Sequence, residues 1–406
     1  MIFQGIKQGF QPFRYRNFRL LWIGQAISAL GLPFQSVALI WLVLQRHGSP
    51  LDLALMLMAI SVPQALVTLA GGVITDRLDA RTVMFWTDAT RLLMSGAIAL
   101  LALIGVLPLW LLGLLLIVYS LATGIFNPAA RSITPHLLPS EALSGGNALM
   151  QILNQVGNFL GALPAGLIVA HSSPALAFAL NSLSFAVAVF VTWLMEPLER
   201  MERGETSSVF QDALQGFAYL GRTPWLLSLL LIDACTAIAA IGPITIGLPL
   251  LARDVLHIGA SGYSLLIWSF AAGEISGILV PLFRSPSQRR GRFFCLLQFI
   301  EGPIMIGVAF APLLLAMLCL AVVAFLNGIL LVVFLSLIQE HVSKGLLGRV
   351  MSFFMLASVG FVPLSQSLSG YIAASAGVQI LFLGAGLLTA LSALGGLFVP
   401  SLRALD

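Results

Sequence analysis

Long apolar runs, separated by short polar breaks, make up nearly the whole chain. They fall at 20–44, 53–75, 82–105, 109–130, 146–170, 174–195, 225–251, 262–283, 293–311, 313–338, 350–374 and 378–400. Each approaches the ~20 residues an α-helix needs to cross a bilayer. No stretch alternates with a period of two over a strand's length, which argues against a β-barrel. The pattern predicts an all-α membrane protein of twelve transmembrane helices.

One polar stretch, 196–223, is longer than the other breaks. It sets Glu196, Glu199, Glu202, Glu205 and Asp212 against three arginines. It is expected to be a cytoplasmic linker, with an interfacial helix at 209–220, between six-helix halves at 1–195 and 224–406. A weak repeat supports the division. Leu138-Pro139-Ser140-Glu141-Ala142-Leu143 follows the fourth run much as Val342-Ser343-Lys344-Gly345-Leu346-Leu347 follows the tenth. Duplicated halves with a site between them are a recurring transporter design.

Composition removes the soluble alternatives. The chain is 59% hydrophobic and 9% charged, where a soluble globule carries about a quarter charged residues. With the amino terminus inside, seventeen of the 20 Lys and Arg fall in cytoplasmic segments. Arg46 and Arg253 lie outside and Arg91 within a span. This positive-inside bias predicts that both termini are cytoplasmic. The start, Met1-Ile2-Phe3-Gln4, lacks a short apolar core with a cleavage site, so no removable signal peptide is expected. Cys235, Cys295 and Cys319 all sit in apolar runs and read as packing residues. No nucleic-acid partner, cofactor or metal is expected, and the protein is expected to be a monomer in the lipid bilayer.

The segment Gly71-Gly72-Val73-Ile74-Thr75-Asp76-Arg77-Leu78-Asp79-Ala80-Arg81 ends the second run. It resembles the loop signature between helices two and three of the major facilitator superfamily. Gly72, Asp76, Arg77 and Arg81 match, while Asp79 replaces the usual glycine and Ala80 a basic residue. Phe18-Arg19-Leu20-Leu21-Trp22-Ile23-Gly24-Gln25, Phe126-Asn127-Pro128-Ala129 and Gly348-Arg349-Val350 resemble one bacterial branch of it. That branch exports drugs such as macrolides, and siderophores such as enterobactin. The resemblance implies that helices one, four, seven and ten line a central cavity. Helices two, five, eight and eleven would then lie between the halves. It also implies a cytoplasmic gate drawn from Gly72, Asp76, Arg77, Arg81, Arg131 and Arg349. Many members carry an acidic residue where this chain has Leu32.

Polar residues inside the runs are the candidates for chemistry, because lipid makes them costly. Asn147, Gln151, Asn154, Gln155 and Asn158 share one face of the fifth helix. Inter-helix hydrogen bonding and cavity lining explain such a stripe equally well. Gln25 and Gln35 on helix one, Tyr119 and Asn127 on helix four, and Gln151, Asn154 and Asn158 on helix five are the substrate-cavity candidates. Asp88 and Arg91 lie one turn apart and read as a structural ion pair. Glu274 and Asp233 are the leading candidates for proton coupling. Glu301, three residues after Gln298, is a third, with a structural hydrogen bond favoured. Gly157 and Gly161, with Gly273 and Gly277, are small pairs that allow close approach, and the resemblance, which places helices five and eight together, implies a sliding contact there.

Together these features predict a secondary active transporter of the bacterial inner membrane. It would export small amphipathic organic molecules by alternating access, with the proton as coupling ion. A lipid or metabolite transporter and a non-transporting sensor or scaffold are the alternatives. A membrane enzyme is disfavoured, since no HExxH, GxSxG or phosphate-loop segment occurs.

Overall fold

The structure is a computed structural model describing residues 11–46, 48–77, 79–196, 223–283 and 289–405. Side chains at 69–77, 282–283 and seven positions between 344 and 359 lie outside the description. Among the described residues there are twelve long helices and no strand. They are α1 (Arg16–Gln45), α2 (Pro50–Arg77), α3 (Ala80–Leu103), α4 (Leu109–Leu137), α5 (Ser140–His171) and α6 (Pro174–Leu194). The rest are α7 (Pro224–Gly242 and its continuation to Val255), α8 (Gly259–Phe283), α9 (Arg290–Val308), α10 (Leu313–His341), α11 (Lys344–Ser375) and α12 (Val378–Leu397). Ten are apolar and long enough to cross a membrane.

Most helices outrun their apolar cores. Helix α5 starts six residues before the run at 146–170, and α4 ends seven after the run at 109–130. A helix need not stop where hydrocarbon stops; it continues until a cap or a breaker ends it. Pro139 precedes the first turn of α5, where a missing N–H costs nothing. Ser173 caps α6 by accepting from Leu176 N at 3.2 Å, with Pro174 in the first turn. Asp79, which stands where the loop signature has glycine, is the cap of α3. Its Oδ2 accepts from Thr82 N and from the Thr82 hydroxyl, both at 3.0 Å.

The Gly242-Pro243 pair, a helix-breaking sequence, does not end α7. The helix runs through it by widening to π-type turns at Pro243–Gly247 and Leu251–Val255. A serine from α11 makes this possible. The Ser365 hydroxyl accepts from Gly242 N at 2.8 Å and donates to Ile238 O at 2.6 Å. It thus replaces the backbone bond between those two residues, a known way to open a helical ladder.

The chain divides into two compact units, Met1–His47 with Met56–Gly204, and Gly48–Leu55 with Glu205–Asp406. In the first, α1 packs on α5 and α6, and α3 packs on α4 and α6. In the second, α7 packs on α11 and α12, and α9 packs on α10 and α12. The same pairings recur six helices later. Each unit has its own apolar cluster, one around Phe18, Met84, Ile133 and Leu138, the other around Leu226, Leu229, Leu337, Val350 and Leu402. The segment 197–222, including the expected interfacial helix, lies outside the described residues.

The glycine pairs do not make the contact expected of them. A Cβ on Gly157 would meet Ala29, and one on Gly161 would fall 2.6 Å from Leu30 O, so this face of α5 lies against α1. Cβ atoms on Gly273 and Gly277 would collide with the carbonyls of Ala321 and Phe325 on α10. From the other side, a Cβ on Gly328 would stand 2.5 Å from Glu274 O. Both pairs are therefore backbone contacts inside a unit. Spacing alone shows that a helix face is small, not which neighbour uses it.

Candidate functional site

In the first unit, polar side chains of α1, α3, α4 and α6 meet in a buried knot. Arg91 donates through Nη2 to Asp88 Oδ1, and both residues are under 5% exposed. The guanidinium lies over two rings, 3.8 Å from the centroid of Phe126 and 4.8 Å from that of Phe185. Cation–π contacts of this kind replace part of the lost hydration. Asn181 donates to Gln35 Oε1 at 2.5 Å and to Ser95 Oγ at 3.2 Å. The ring of Tyr119 stands edge-on to Phe185, with centroids 6.0 Å apart.

Gln35 and Tyr119 are accordingly core residues, fixed among α1, α3, α4 and α6. Gln25 and Asn127 are half-buried. Gln151, Asn154 and Asn158 are exposed, and the Asn154 amide reaches only its own helix, at Met150 O (3.1 Å). The buried face of α5 instead carries Leu153, Gly157 and Gly161. Among the described residues the stripe is open and does not bind helices together.

Of the gate residues, the side chains of Gly72, Asp76, Arg77 and Arg349 lie outside the described residues. Arg131 is exposed near the end of α4. Arg81 donates to the final carbonyls of α6, from Nε to Thr192 O at 3.0 Å and from Nη2 to Trp193 O at 2.8 Å. It places a cation where unpaired carbonyls concentrate negative potential.

The second unit holds a cavity of about 210 Å³ between α7, α9, α10 and α11. Asp233 and Thr236 reach it from α7, Phe294 and Gln298 from α9, Asn327 and Phe334 from α10, and Phe354 and Ser358 from α11. Gln298 donates to Thr236 Oγ1. Asn327 donates to Glu301 Oε1 at 2.8 Å, holding that carboxyl one hydrogen bond behind the cavity wall. Glu301 Oε2 and Gln298 Oε1 have no partner among the described residues. Asp233, half-buried, makes no side-chain hydrogen bond or ion pair among them either.

Glu274 stands apart from this cluster. It is half-buried on α8, its own carbonyl in the close contact with α10, and its carboxyl has no partner among the described residues. Of the three coupling candidates, Asp233 and Glu301 are thus brought to one cavity and Glu274 is not. Asn181, Asn327, Thr236 and the three phenylalanines were not singled out by the sequence. Asn327 could have been, as the amide in the middle of the most apolar helix among the described residues.

With the geometry in hand, comparison with known proteins decides the family. The family model for transmembrane secretion effectors matches residues 7–406. The chain belongs to that family of the major facilitator superfamily. It is a multi-pass membrane transporter and not an enzyme. Among its relatives is macrolide efflux protein A of Streptococcus pyogenes, 24% identical over 97% of this chain and 99% of that one. The multidrug efflux pump Tap of Mycolicibacterium fortuitum is 26% identical over 91% of this chain and 92% of its own. The nucleoside transporter NupG shares the fold, with a TM-score of 0.76 at 13% identity over 94% of this chain and 98% of that one.

Proposed function

We propose that this transporter is a proton-driven exporter of amphipathic organic molecules, drugs or siderophores, across the bacterial cytoplasmic membrane. It works by alternating access, as a monomer, with both termini in the cytoplasm. Its halves at 1–195 and 224–406 are joined by the linker at 196–223. One observation carries the reading: near-full-length similarity to proteins named as macrolide and multidrug efflux pumps.

Two further features support it. The open amides Gln151, Asn154 and Asn158 suit a wet path through the membrane, where polar side chains facing lipid would be costly. Asp233 and Glu274 are membrane-embedded carboxyls without a countercharge among the described residues. Such groups can alternate between protonated and ionised forms as water reaches them. The cytoplasmic gate proposed with this reading consists of Gly72, Asp76, Arg77, Arg81, Arg131 and Arg349.

The experiment is reconstitution into liposomes with an imposed pH gradient. Gradient-dependent movement of a macrolide, a fluorescent drug or a siderophore, absent from protein-free liposomes, is the expected result. Binding of these compounds without movement would instead identify a sensor.

A further inference from the structure

We propose that the cavity between α7, α9, α10 and α11 is a binding site for the protonated amine of an organic cation, an inference that rests on the exporter reading and names its substrate class. The hydrogen-bonding inventory of the walls is lopsided. The Thr236 hydroxyl donates to Ile232 O at 2.8 Å, and the Ser358 hydroxyl to Phe354 O at 2.9 Å. Both amide protons of Asn327 are taken, by Glu301 Oε1 at 2.8 Å and Val323 O at 3.2 Å. Gln298 directs one N–H to Thr236. Its second amide proton is the one wall donor left over.

The acceptors are unfilled. Both oxygens of Asp233 are open among the described residues, as are Gln298 Oε1 and, behind Asn327, Glu301 Oε2. Gln298 is 1% exposed and Glu301 3% exposed. A buried acceptor without a partner costs about 1–3 kcal/mol, so such groups are rarely left bare. What completes the two that line the cavity, Asp233 and Gln298, is a guest with N–H donors and positive charge. No Lys, Arg or His of the described residues lines the cavity to supply it.

The remaining walls select an organic cation over a hydrated inorganic one. Phe334 stands edge-on to Phe354 with centroids 5.1 Å apart, and Phe294 lies 6.4 Å from Phe334. Aromatic faces attract weakly hydrated alkylammonium groups and do not offset the larger cost of stripping an alkali ion's water shell. At about 210 Å³, the space is below the ~300–1,000 Å³ of drug-sized pockets. It takes the amine end of a substrate and leaves the rest outside, where Leu331 and Ser358 are exposed.

The test is binding to the purified full-length protein in nanodiscs, with radiolabelled 2-phenylethylammonium as the probe. Saturable binding is expected. The neutral isostere 2-phenylethanol should compete at least about tenfold more weakly, since a charged hydrogen bond to Asp233 is lost. Asp233→Asn should weaken binding of the amine by a similar factor and leave that of the alcohol unchanged. Equal competition by amine and alcohol, an unaltered affinity in Asp233→Asn, or no saturable binding would each overturn the proposal. So would displacement by sodium beyond that by choline at equal ionic strength, which would mark an alkali-ion site. Should Asp233→Asn not fold, the competition series on the unaltered protein decides alone. Transport is not the readout, so failure of export and failure of this site are told apart.

Discussion

Asp88 and Arg91 offer the sharpest test of how the first unit is held together. Both are buried, and the pair is joined through a single oxygen, leaving Asp88 Oδ2 and Arg91 Nε unpartnered among the described residues. Removing either charge alone strands the other in a low-dielectric core, at a cost of about 3–5 kcal/mol. The rings of Phe126 and Phe185 stay against the guanidinium. At ~0.5–2 kcal/mol each, they do not offset that loss. Asp88→Asn and Arg91→Met should each destabilise by roughly this amount. At ~2–4 °C per kcal/mol for a unit of ~150–250 residues, the midpoint should fall by about 6–20 °C. The double variant leaves no stranded charge. It should recover at least ~2 kcal/mol of the summed loss and retain transport. Thermal unfolding followed by intrinsic fluorescence, with size-exclusion to confirm a single species, reads these values. Additive losses in the double variant, or an unchanged midpoint in either single one, would refute a structural ion pair.

Other consequences follow from backbone packing and topology. Gly273→Val and Gly277→Val should each lower the thermal midpoint, because the new side chains meet backbone carbonyls of α10; Gly384→Ala, with nothing within 4 Å, should not. Ser365→Ala removes the hydroxyl shared by Gly242 N and Ile238 O and should cost about 1–3 kcal/mol, read by the same melting assay. Cysteines placed at Ser49 or Gly259 should be labelled by impermeant maleimide in intact cells, and those at Ser207 or Gln288 should not. Labelling at Ser207 would reverse the proposed orientation of the termini.

The fold class was readable because hydrocarbon imposes one rule on every span, and runs of ~20 apolar residues leave few alternatives to a helix. Boundaries were less readable, since Pro139 and Asp79 start helices ahead of the apolar runs. Asp88–Arg91 was legible as a pair because i, i+3 places two side chains on one face. Partners across helices were not. Gly157 and Gly161 declare a small face, but Ala29 and Leu30 lie more than a hundred residues away in sequence. Gln35 looks open on a helical projection of α1, and only the third dimension shows Asn181 bonded to it. The cavity was invisible for the same reason: its walls come from four helices, and half of its lining is phenylalanine and leucine that the pattern assigns to packing.

Proton-driven export is the central claim, and substrate-induced proton movement tests it most directly. Inside-out vesicles energised to an acidic interior and carrying a pH-sensitive dye should show partial collapse of the gradient when a transported drug is added. Vesicles carrying the protein with Asp233→Asn and Glu274→Gln together should show none. Drug movement into the vesicles that persists at full rate after a protonophore abolishes the gradient, with no proton release on adding drug, would contradict it.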